Sequence, residues 1–245
     1  MPRLIFRVAW LTGLIALCVP FHLLRGLLGI RSPWPRRFLG WCASAVGLKA
    51  TVLGKPREGA TLYVANHQSW TDILVIGGAT GASFVSKEEV RKWPVAGWLA
   101  TMVGTIYINR DDRREAGAQA ARIREELARG KSVVFFPEGQ ISHDEHLLPF
   151  RPALFGAVVP PVDGVAVQPI ALDYGEHKDK LLWRRGTHAG LHAVEMMKRP
   201  GRRPVTVHLL EPIVPEADAE RREIANACHD AIARALGQPI RDEIE

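Results

Sequence analysis

Short apolar segments alternate with helical segments from about residue 50 to the end of the chain. Thr61–Ala65 and Val133–Phe136 have the length and composition of buried strands. The clearest helix is predicted over Asp111–Arg129, because apolar side chains recur on one face and Gly130 follows. Strands that alternate with helices are typical of an α/β domain with a covered sheet. The sequence therefore predicts one such domain over residues 50–245, a size that suits a single large domain.

The same periodicities predict the remaining elements of this domain. Further helices are predicted over residues 71–77, 94–103, 153–159 and 218–236. Further strands are predicted over residues 83–86, 105–108, 165–172 and 205–210. The stretch Glu176–Arg203 is polar and basic, and it is predicted to be a surface excursion.

The positive charge of the chain is concentrated at its N-terminus. The formal net charge is +6, yet residues 1–57 hold nine basic and no acidic side chains, and the rest of the chain is close to neutral. Basic residues beside apolar sequence are attracted to anionic lipid head groups. A nucleic-acid-binding protein spreads its basic residues over a recognition surface, so this distribution argues against a nucleic-acid partner.

An apolar run of 17 residues, Val8–Leu24, contains no Asp, Glu, Lys or Arg. Seventeen residues is about the shortest helix expected to cross a bilayer, and Pro20 and His22 weaken a clean span. A signal peptide would need a small-x-small cleavage site directly after the run, and none is present there. A buried core helix is the remaining alternative to a membrane helix.

Residues 1–49 are predicted to anchor the chain to a membrane. Arg3 and Arg7 precede the first apolar run, and a second apolar stretch, Phe38–Leu48, follows it. This pattern is typical of two short helices that are seated in one leaflet, with arginines at the head groups. A soluble core helix rarely needs flanks of one sign, so we expect membrane lipids to be partners of this segment.

Cysteine and histidine residues form no recognised framework in the sequence. Cys18, Cys42 and Cys228 are odd in number and widely spaced, which rules out a disulfide framework and a cysteine zinc site and fits a reducing compartment. His188 and His192 have helical spacing but lack the glutamate of a zinc protease motif. We therefore expect no metal, and we expect the chain to lie at the cytoplasmic face of the inner cell membrane.

The segment NHQSWTD, at residues 66–72, is the first candidate for chemistry. His67 directly follows a strand, and Asp72 comes five residues later, in the first turn of the next helix. A folded turn would bring the carboxylate to one imidazole nitrogen and leave the other free as a base for a substrate hydroxyl. The spacing alone favours a simpler interpretation, in which Asp72 serves the helix dipole and His67 is an ordinary polar residue.

Two other strands end in charged residues. The segment FFPEG places Glu138 at a sheet edge, and Gly139 permits a close backbone approach. The segment GTIYINR delivers Arg110 at the end of a strand, and the planar fork of an arginine suits a phosphate. An ordinary turn and a surface cation are the alternatives for these two segments.

Six motifs together resemble the 1-acylglycerol-3-phosphate acyltransferase family over residues 50–215. In order, they are HQSWTD, SKEEVRKWPVAGW, GTIYINR, FFPEG, LLPFRPALF and VQPIAL. The resemblance implies an α/β fold with a central mixed sheet flanked by helices and an N-terminal membrane-associated helical segment. It also implies acyl transfer from acyl-CoA or acyl-carrier protein to a lysolipid hydroxyl, with no further cofactor. The first expected acceptor is 1-acyl-sn-glycerol-3-phosphate, which would give phosphatidic acid.

The resemblance also implies a role for each matched residue. His67 would be the general base and Asp72 its orienting partner, which reverses the preference drawn from spacing alone. Arg110 resembles a ligand of the acceptor phosphate, and Lys87 matches a basic position that faces phosphate. The other matched substrate-binding positions are Gly104, Glu138, Gly139, Arg151 and Pro169.

One motif departs from the family pattern. After Pro-Glu-Gly the family usually continues with Thr-Arg-Ser, whereas this chain has Gln140 and Ile141. Loss of one arginine–phosphate contact would cost about 1.5–3 kcal/mol unless Arg151 or Lys87 compensates. The closest rival is therefore a lyso-ornithine lipid O-acyltransferase, whose acceptor has no phosphate monoester. A non-catalytic lipid-binding scaffold is the rival from another functional class.

Overall fold

The structure is a computed structural model that describes residues 1–30, 32–109, 115–141, 146–183 and 189–240. It divides into two compact units. The first unit comprises Met1–Leu53, Gln68–Gly81 and Asp173–Val207. The second unit comprises Gly54–His67, Ala82–Leu172 and His208–Glu245.

Helices and strands alternate along the described residues. The helices are α1 (Pro2–Leu27), α2 (Trp34–Ala45), α3 (Asp72–Thr80), α4 (Ala96–Met102), α5 (Ala116–Ala128), α6 (Lys178–Leu181), α7 (Ala189–Lys198) and α8 (Arg221–Ala235). The strands are β1 (Leu48–Leu53), β2 (Thr61–Ala65), β3 (Ser83–Lys87), β4 (Ile106–Ile108), β5 (Val133–Phe135), β6 (Ala166–Asp173) and β7 (Arg203–Leu209). Short 3₁₀ helices occupy Glu88–Lys92, Pro152–Ala157 and Gly175–His177.

The second unit contains a sheet in which the strand order is β6-β2-β5-β3-β4. These neighbours are all parallel, and Leu62 of β2 lies opposite Val133 of β5 and Val167 of β6. An antiparallel bridge between Val167 and Ile213 makes the sheet mixed. Because the strands are parallel, their carboxyl ends lie at one edge, where α/β folds place their sites. The predicted α/β fold with a mixed sheet is confirmed.

The core of the second unit explains why its strands read as continuous apolar runs. Every residue of β2 and β5 is buried, as expected for strands covered on both faces. Helix α5 contributes Ile123 and Leu127 to this core, and α8 contributes Ile224 and Ile232. A capping box at the start of α8 satisfies two backbone donors of its first turn. The helices therefore pack apolar faces onto the sheet.

The first unit is mainly helical. Helix α1 turns Leu14 toward α2, where Cys42 and Ala45 complete a small buried cluster. Helices α2 and α3 approach so closely at Gly40 and Gly78 that a Cβ on Gly78 would lie only 2.7 Å from the Cα of Gly40. Strand β1 lies beside β7. Small residues at the contact thus permit α3, which begins at a predicted site residue, to pack tightly on α2.

Helix α1 is long and apolar enough to cross a bilayer, and only 17% of its most apolar window is buried. It is one helix of 26 residues, which runs through Pro20. The sequence predicted a short first helix, and this was wrong, because α1 is long. Its exposed apolar side chains are Ile5, Phe6, Val8, Leu17, Phe21, Leu23, Leu24 and Leu27. This surface suits membrane association.

Arg7 does not lie where the sequence suggested. We expected it at the lipid head groups, whereas its side chain is buried and donates hydrogen bonds to backbone carbonyls of the first unit. The polar stretch Glu176–Arg203 was predicted to be a surface excursion, and this was also wrong. It includes α7, and Leu181 and Met196 within it are fully buried.

Other differences from the predicted elements are small. Strand β1 was not predicted. The predicted helix at 153–159 is a 3₁₀ helix, Pro152–Ala157. The predicted helix Asp111–Arg129 is present as α5, while residues 110–114 lie outside the described residues. The strand Thr61–Ala65 is confirmed residue for residue.

Candidate active site

Asn66 directly follows β2, and its side chain binds the backbone of β6. Its Nδ2 donates a hydrogen bond to the carbonyl oxygen of Leu172 at 3.0 Å, and the Leu172 N–H donates to its Oδ1 at 2.8 Å. The amide thus continues the pairing of β2 with β6 by one more step. Because Asn66 is buried and bonded at both ends, the position of the next residue, His67, is fixed relative to the sheet.

His67 is held by two residues that follow β5. Its backbone N–H donates a 2.7 Å hydrogen bond to Oε1 of Glu138, and its ring stacks on Phe136 with centroids 4.1 Å apart. Glu138 is almost fully buried, and its Oε2 accepts the N–H of Leu148 at 3.3 Å. The structure therefore brings together the predicted residues His67 and Glu138, and it places the glutamate on the main chain of the histidine.

Asp72 is fully buried at the start of α3, within the first unit. Its Oδ2 accepts the N–H groups of Gln68 at 2.7 Å and Ser69 at 3.0 Å, and its Oδ1 accepts the hydroxyl of Tyr174. Two of these donors precede the helix, so the carboxylate does more than serve the helix dipole. The boundary between the two units falls between His67 and Gln68. A bond between the His67 and Asp72 side chains remains a prediction.

Gly139 and Arg151 meet in the second unit. Gly139 has φ +72°, and a Cβ there would lie 2.9 Å from the guanidinium carbon of Arg151. The backbone N–H of Arg151 also donates a hydrogen bond to the Pro137 carbonyl at 3.0 Å. A side chain at position 139 would displace the guanidinium, so only glycine fits this close approach. The predicted residues Glu138, Gly139 and Arg151 therefore belong to one cluster with His67.

The other predicted residues lie further along the sheet. Lys87 ends β3 opposite Ile108, the last residue of β4, and both strands end at the edge where His67 lies. Gly104 precedes β4 with φ +79°. Pro169 is buried within β6, where its carbonyl accepts the Leu210 N–H, so its place is in the sheet. Arg110 lies outside the described residues.

Comparisons with known proteins fit this arrangement. The family described as Acyltransferase matches residues 51–173. A lyso-ornithine lipid O-acyltransferase from Pseudomonas aeruginosa is 34% identical over 96% of this chain and 93% of its own length. The chain belongs to the glycerolipid acyltransferase family.

Other relatives of this acyltransferase carry a second name. A 1-acyl-sn-glycerol-3-phosphate acyltransferase from Neisseria meningitidis is 31% identical over 82% of this chain and 77% of its own length. The fold resembles the crystal structure of PlsC, a 1-acyl-sn-glycerophosphate acyltransferase from Thermotoga maritima, with a TM-score of 0.68, 23% identity and 96% of both chains covered. The predicted family and the predicted enzyme class, an acyltransferase, are therefore confirmed.

The reasoning from sequence missed two residues that contact the candidate segment, Asn66 in the second unit and Tyr174 in the first. Asn66 stands directly before His67, but its clamp on Leu172 depends on a residue 106 positions away. Tyr174 follows β6, and its position as a polar residue after a buried strand is the signal that could have found it. Its partner Asp72 is 102 positions away, so no local pattern joins them.

Proposed function

We propose that this acyltransferase moves a fatty acyl group from a thioester donor, acyl-CoA or acyl-carrier protein, to the free hydroxyl of a lysolipid, with His67 as general base. The observation that carries the proposal is the fixed place of His67 at the sheet edge. Its main chain is bonded to Glu138 and its ring lies against Phe136. A base must be held in this way to reach a substrate proton in a defined geometry.

The proposed reaction needs no metal or redox cofactor. His67 takes the proton of the acceptor hydroxyl, and the oxygen attacks the thioester carbonyl to give a tetrahedral intermediate. The intermediate collapses with cleavage of the carbon–sulfur bond, and the thiol leaves with the proton from the imidazolium. Asp72 would fix the tautomer of His67 and stabilise the imidazolium between these two steps.

The first candidate acceptor is a lyso-ornithine lipid. Ile141 stands where the resemblance implies a phosphate-binding arginine, and an acceptor without a phosphate monoester does not need that contact. Relatives with this name, from Rhodobacter capsulatus and Pseudomonas aeruginosa, are both 34% identical to this chain. These observations favour an ornithine head group.

The second candidate acceptor is 1-acyl-sn-glycerol-3-phosphate, which would give phosphatidic acid. The observation that favours it is the guanidinium of Arg151, which lies over Gly139, two residues before Ile141. The planar fork of Arg151 could replace the missing motif arginine. Lys87 ends a strand at the same sheet edge and would add a second cation.

Membrane attachment belongs to the same proposal. The exposed apolar side chains of α1 and the basic residues around it would seat the enzyme on the cytoplasmic face of the inner membrane. A lysolipid is itself a membrane lipid, so this attachment would keep the enzyme at the surface that holds its acceptor.

The test is acyl transfer by the purified chain in mixed micelles. The acceptors are lyso-ornithine lipid and 1-acyl-sn-glycerol-3-phosphate, each offered with acyl-CoA and with acyl-carrier protein. We expect transfer to lyso-ornithine lipid, and a loss of about 10²–10⁴-fold in His67→Ala, the usual contribution of a general base.

Each other outcome of this experiment selects a different conclusion. Faster transfer to the glycerol phosphate that is lost in Arg151→Gln would establish the second acceptor. Turnover near that of the wild type in His67→Ala would contradict the mechanism. Tight binding of both lipids without transfer would show a lipid-binding scaffold.

A further inference from the structure

Tyr174 is a buried tyrosine that directly follows β6, and it belongs to the same unit as Asp72. Only 2% of its surface is exposed. Its hydroxyl contacts two side chains of the candidate catalytic segment, Oγ1 of Thr71 at 3.0 Å and Oδ1 of Asp72. Tyr174 thus brings one phenol hydroxyl onto the carboxylate of the motif within the first unit.

The direction of these hydrogen bonds follows from what each group can donate. An ionised carboxylate only accepts, so the single hydroxyl proton of Tyr174 points to Asp72. The Tyr174 oxygen then accepts from the Thr71 hydroxyl. Burial, together with the charge of Asp72, raises the pKa of Tyr174 well above its ordinary value, so the phenol keeps its proton. The result is a chain of donors with one polarity, from Thr71 through Tyr174 to Asp72.

The contacts of Asp72 show what the hydrogen bond from Tyr174 adds. Oδ2 is held by the N–H groups of Gln68 and Ser69, both within four residues of the aspartate. A carboxylate held through one oxygen can still turn about that oxygen. The bond from Tyr174 to Oδ1 fixes the second oxygen, and therefore the plane of the carboxylate. It also connects the short motif to a residue 102 positions further along the chain.

We propose that Tyr174 is a positioning residue for acyl transfer, which acts with Thr71 to fix the carboxylate plane of Asp72. This inference rests on the proposed pairing of Asp72 with the base His67. An aspartate that holds an imidazole must present its oxygen in the plane of the ring, and a fixed plane lowers the cost of reaching the transition state. Since Tyr174 is buried and acts through its bond to Asp72, we expect it to affect kcat and to leave the KM for both substrates unchanged.

The test compares Tyr174→Phe with a matched control, Tyr107→Phe. Tyr107 is also buried, and its hydroxyl also lies 3.0 Å from a threonine hydroxyl, that of Thr101, and 3.1 Å from the carbonyl of Gly97. Each variant removes one buried hydroxyl with two partners. We expect Tyr174→Phe to lower kcat about tenfold with KM within twofold, the scale of one hydrogen bond to a charged group. Tyr107→Phe should keep kcat within twofold.

Thr71→Val provides a second variant of the same chain of donors, with almost no change in side-chain volume. We expect it to lower kcat about threefold, because Tyr174 still donates to Asp72. If Tyr174→Phe does not fold, this variant decides the question, and a wild-type kcat in Thr71→Val then overturns the inference. A wild-type kcat in Tyr174→Phe, or an equal loss in Tyr174→Phe and Tyr107→Phe, overturns it as well.

A double variant shows whether Tyr174 acts through Asp72. In the Asp72→Asn background, whose residual turnover a radiolabelled donor makes measurable, Tyr174→Phe should lower kcat no further. A further tenfold loss would show an independent structural effect and overturn the inference. Wild-type activity in His67→Ala would contradict the proposed function itself. Loss of activity in His67→Ala beside a normal Tyr174→Phe would contradict only the role of Tyr174.

Discussion

Arg7 and Asp72 are both charged side chains buried in the first unit, with 8% and 0% of their surfaces exposed, but their surroundings differ in kind. The guanidinium of Arg7 donates to the backbone carbonyls of Val46, Met196, Met197 and Gly201. The carboxylate of Asp72 accepts from Gln68, Ser69 and Tyr174. The cation is thus held entirely by backbone acceptors among these contacts, and the anion by local amides and one phenol.

This difference separates a structural charge from one suited to chemistry. The acceptors of Arg7 lie 39 to 194 residues away in the sequence. Two of them, Met196 and Met197, lie in the last turn of α7, where backbone carbonyls lack partners within the helix. Arg7 therefore ties α1 to distant segments. Asp72 is instead fixed in orientation by hydrogen bonds to both of its carboxylate oxygens. Burial alone therefore does not distinguish the two charges, whereas their hydrogen-bond partners do.

The largest effect is expected at Asp72, the charge for which we propose a part in acyl transfer. Asp72→Asn should lower kcat about 10³–10⁴-fold, because a neutral amide does not stabilise an imidazolium. The fold should persist, since the amide oxygen still accepts from Gln68 and Ser69 and its NH₂ group donates to Tyr174. Steady-state acyl transfer measures kcat, and circular dichroism checks the fold. The exposed Asp163→Asn is the matched control, and a kcat within tenfold of the wild type in Asp72→Asn would refute the role of Asp72.

The second prediction removes the structural charge. Arg7→Met keeps the length of the side chain but leaves several buried carbonyls without their donor, so the free energy of unfolding should fall by about 2–4 kcal/mol. The kcat of the folded fraction should stay within twofold. Chemical denaturation in micelles gives the stability. Arg3→Met, on the exposed side of the same helix, should cost little, and equal stabilities of the two variants would show that the carbonyl contacts contribute nothing.

The sequence predicted the strands of the sheet far better than the contacts of either buried charge. Strand β2 and helix α5 were predicted from the spacing of their apolar residues, because that spacing alone decides which of their side chains are buried. His67 and Asp72 followed from the family motifs. Arg7 was misplaced, since the apolar sequence around it gives no sign of carbonyl acceptors up to 194 residues away. Tyr174 was missed for the same reason, because tertiary contacts decide its partner.

His192, a third polar group of the first unit, extends the comparison, and its expected effect on stability is the smallest of the three. Nδ1 of His192 accepts the indole N–H of Trp70 at 2.9 Å, so the imidazole there must be neutral. Burial lowers the pKa of His192, the charge of Arg199 lowers it further, and Glu195 opposes both. The unfolded chain therefore binds this proton more readily than the folded chain as the pH falls below about 6.5. The stabilising contribution is complete above that pH and is lost progressively below it.

The measurement is chemical unfolding of the wild type and His192→Gln at pH 7.5 and pH 5.5. A glutamine keeps an acceptor for the Trp70 N–H but does not titrate. The wild type should therefore lose more stability on acidification than the variant, and indole fluorescence should report the loss. An identical pH dependence of the two proteins would mean that His192 is protonated equally in both states. The hydrogen-bond partner would then set the state of Arg7 and Asp72 but not that of His192.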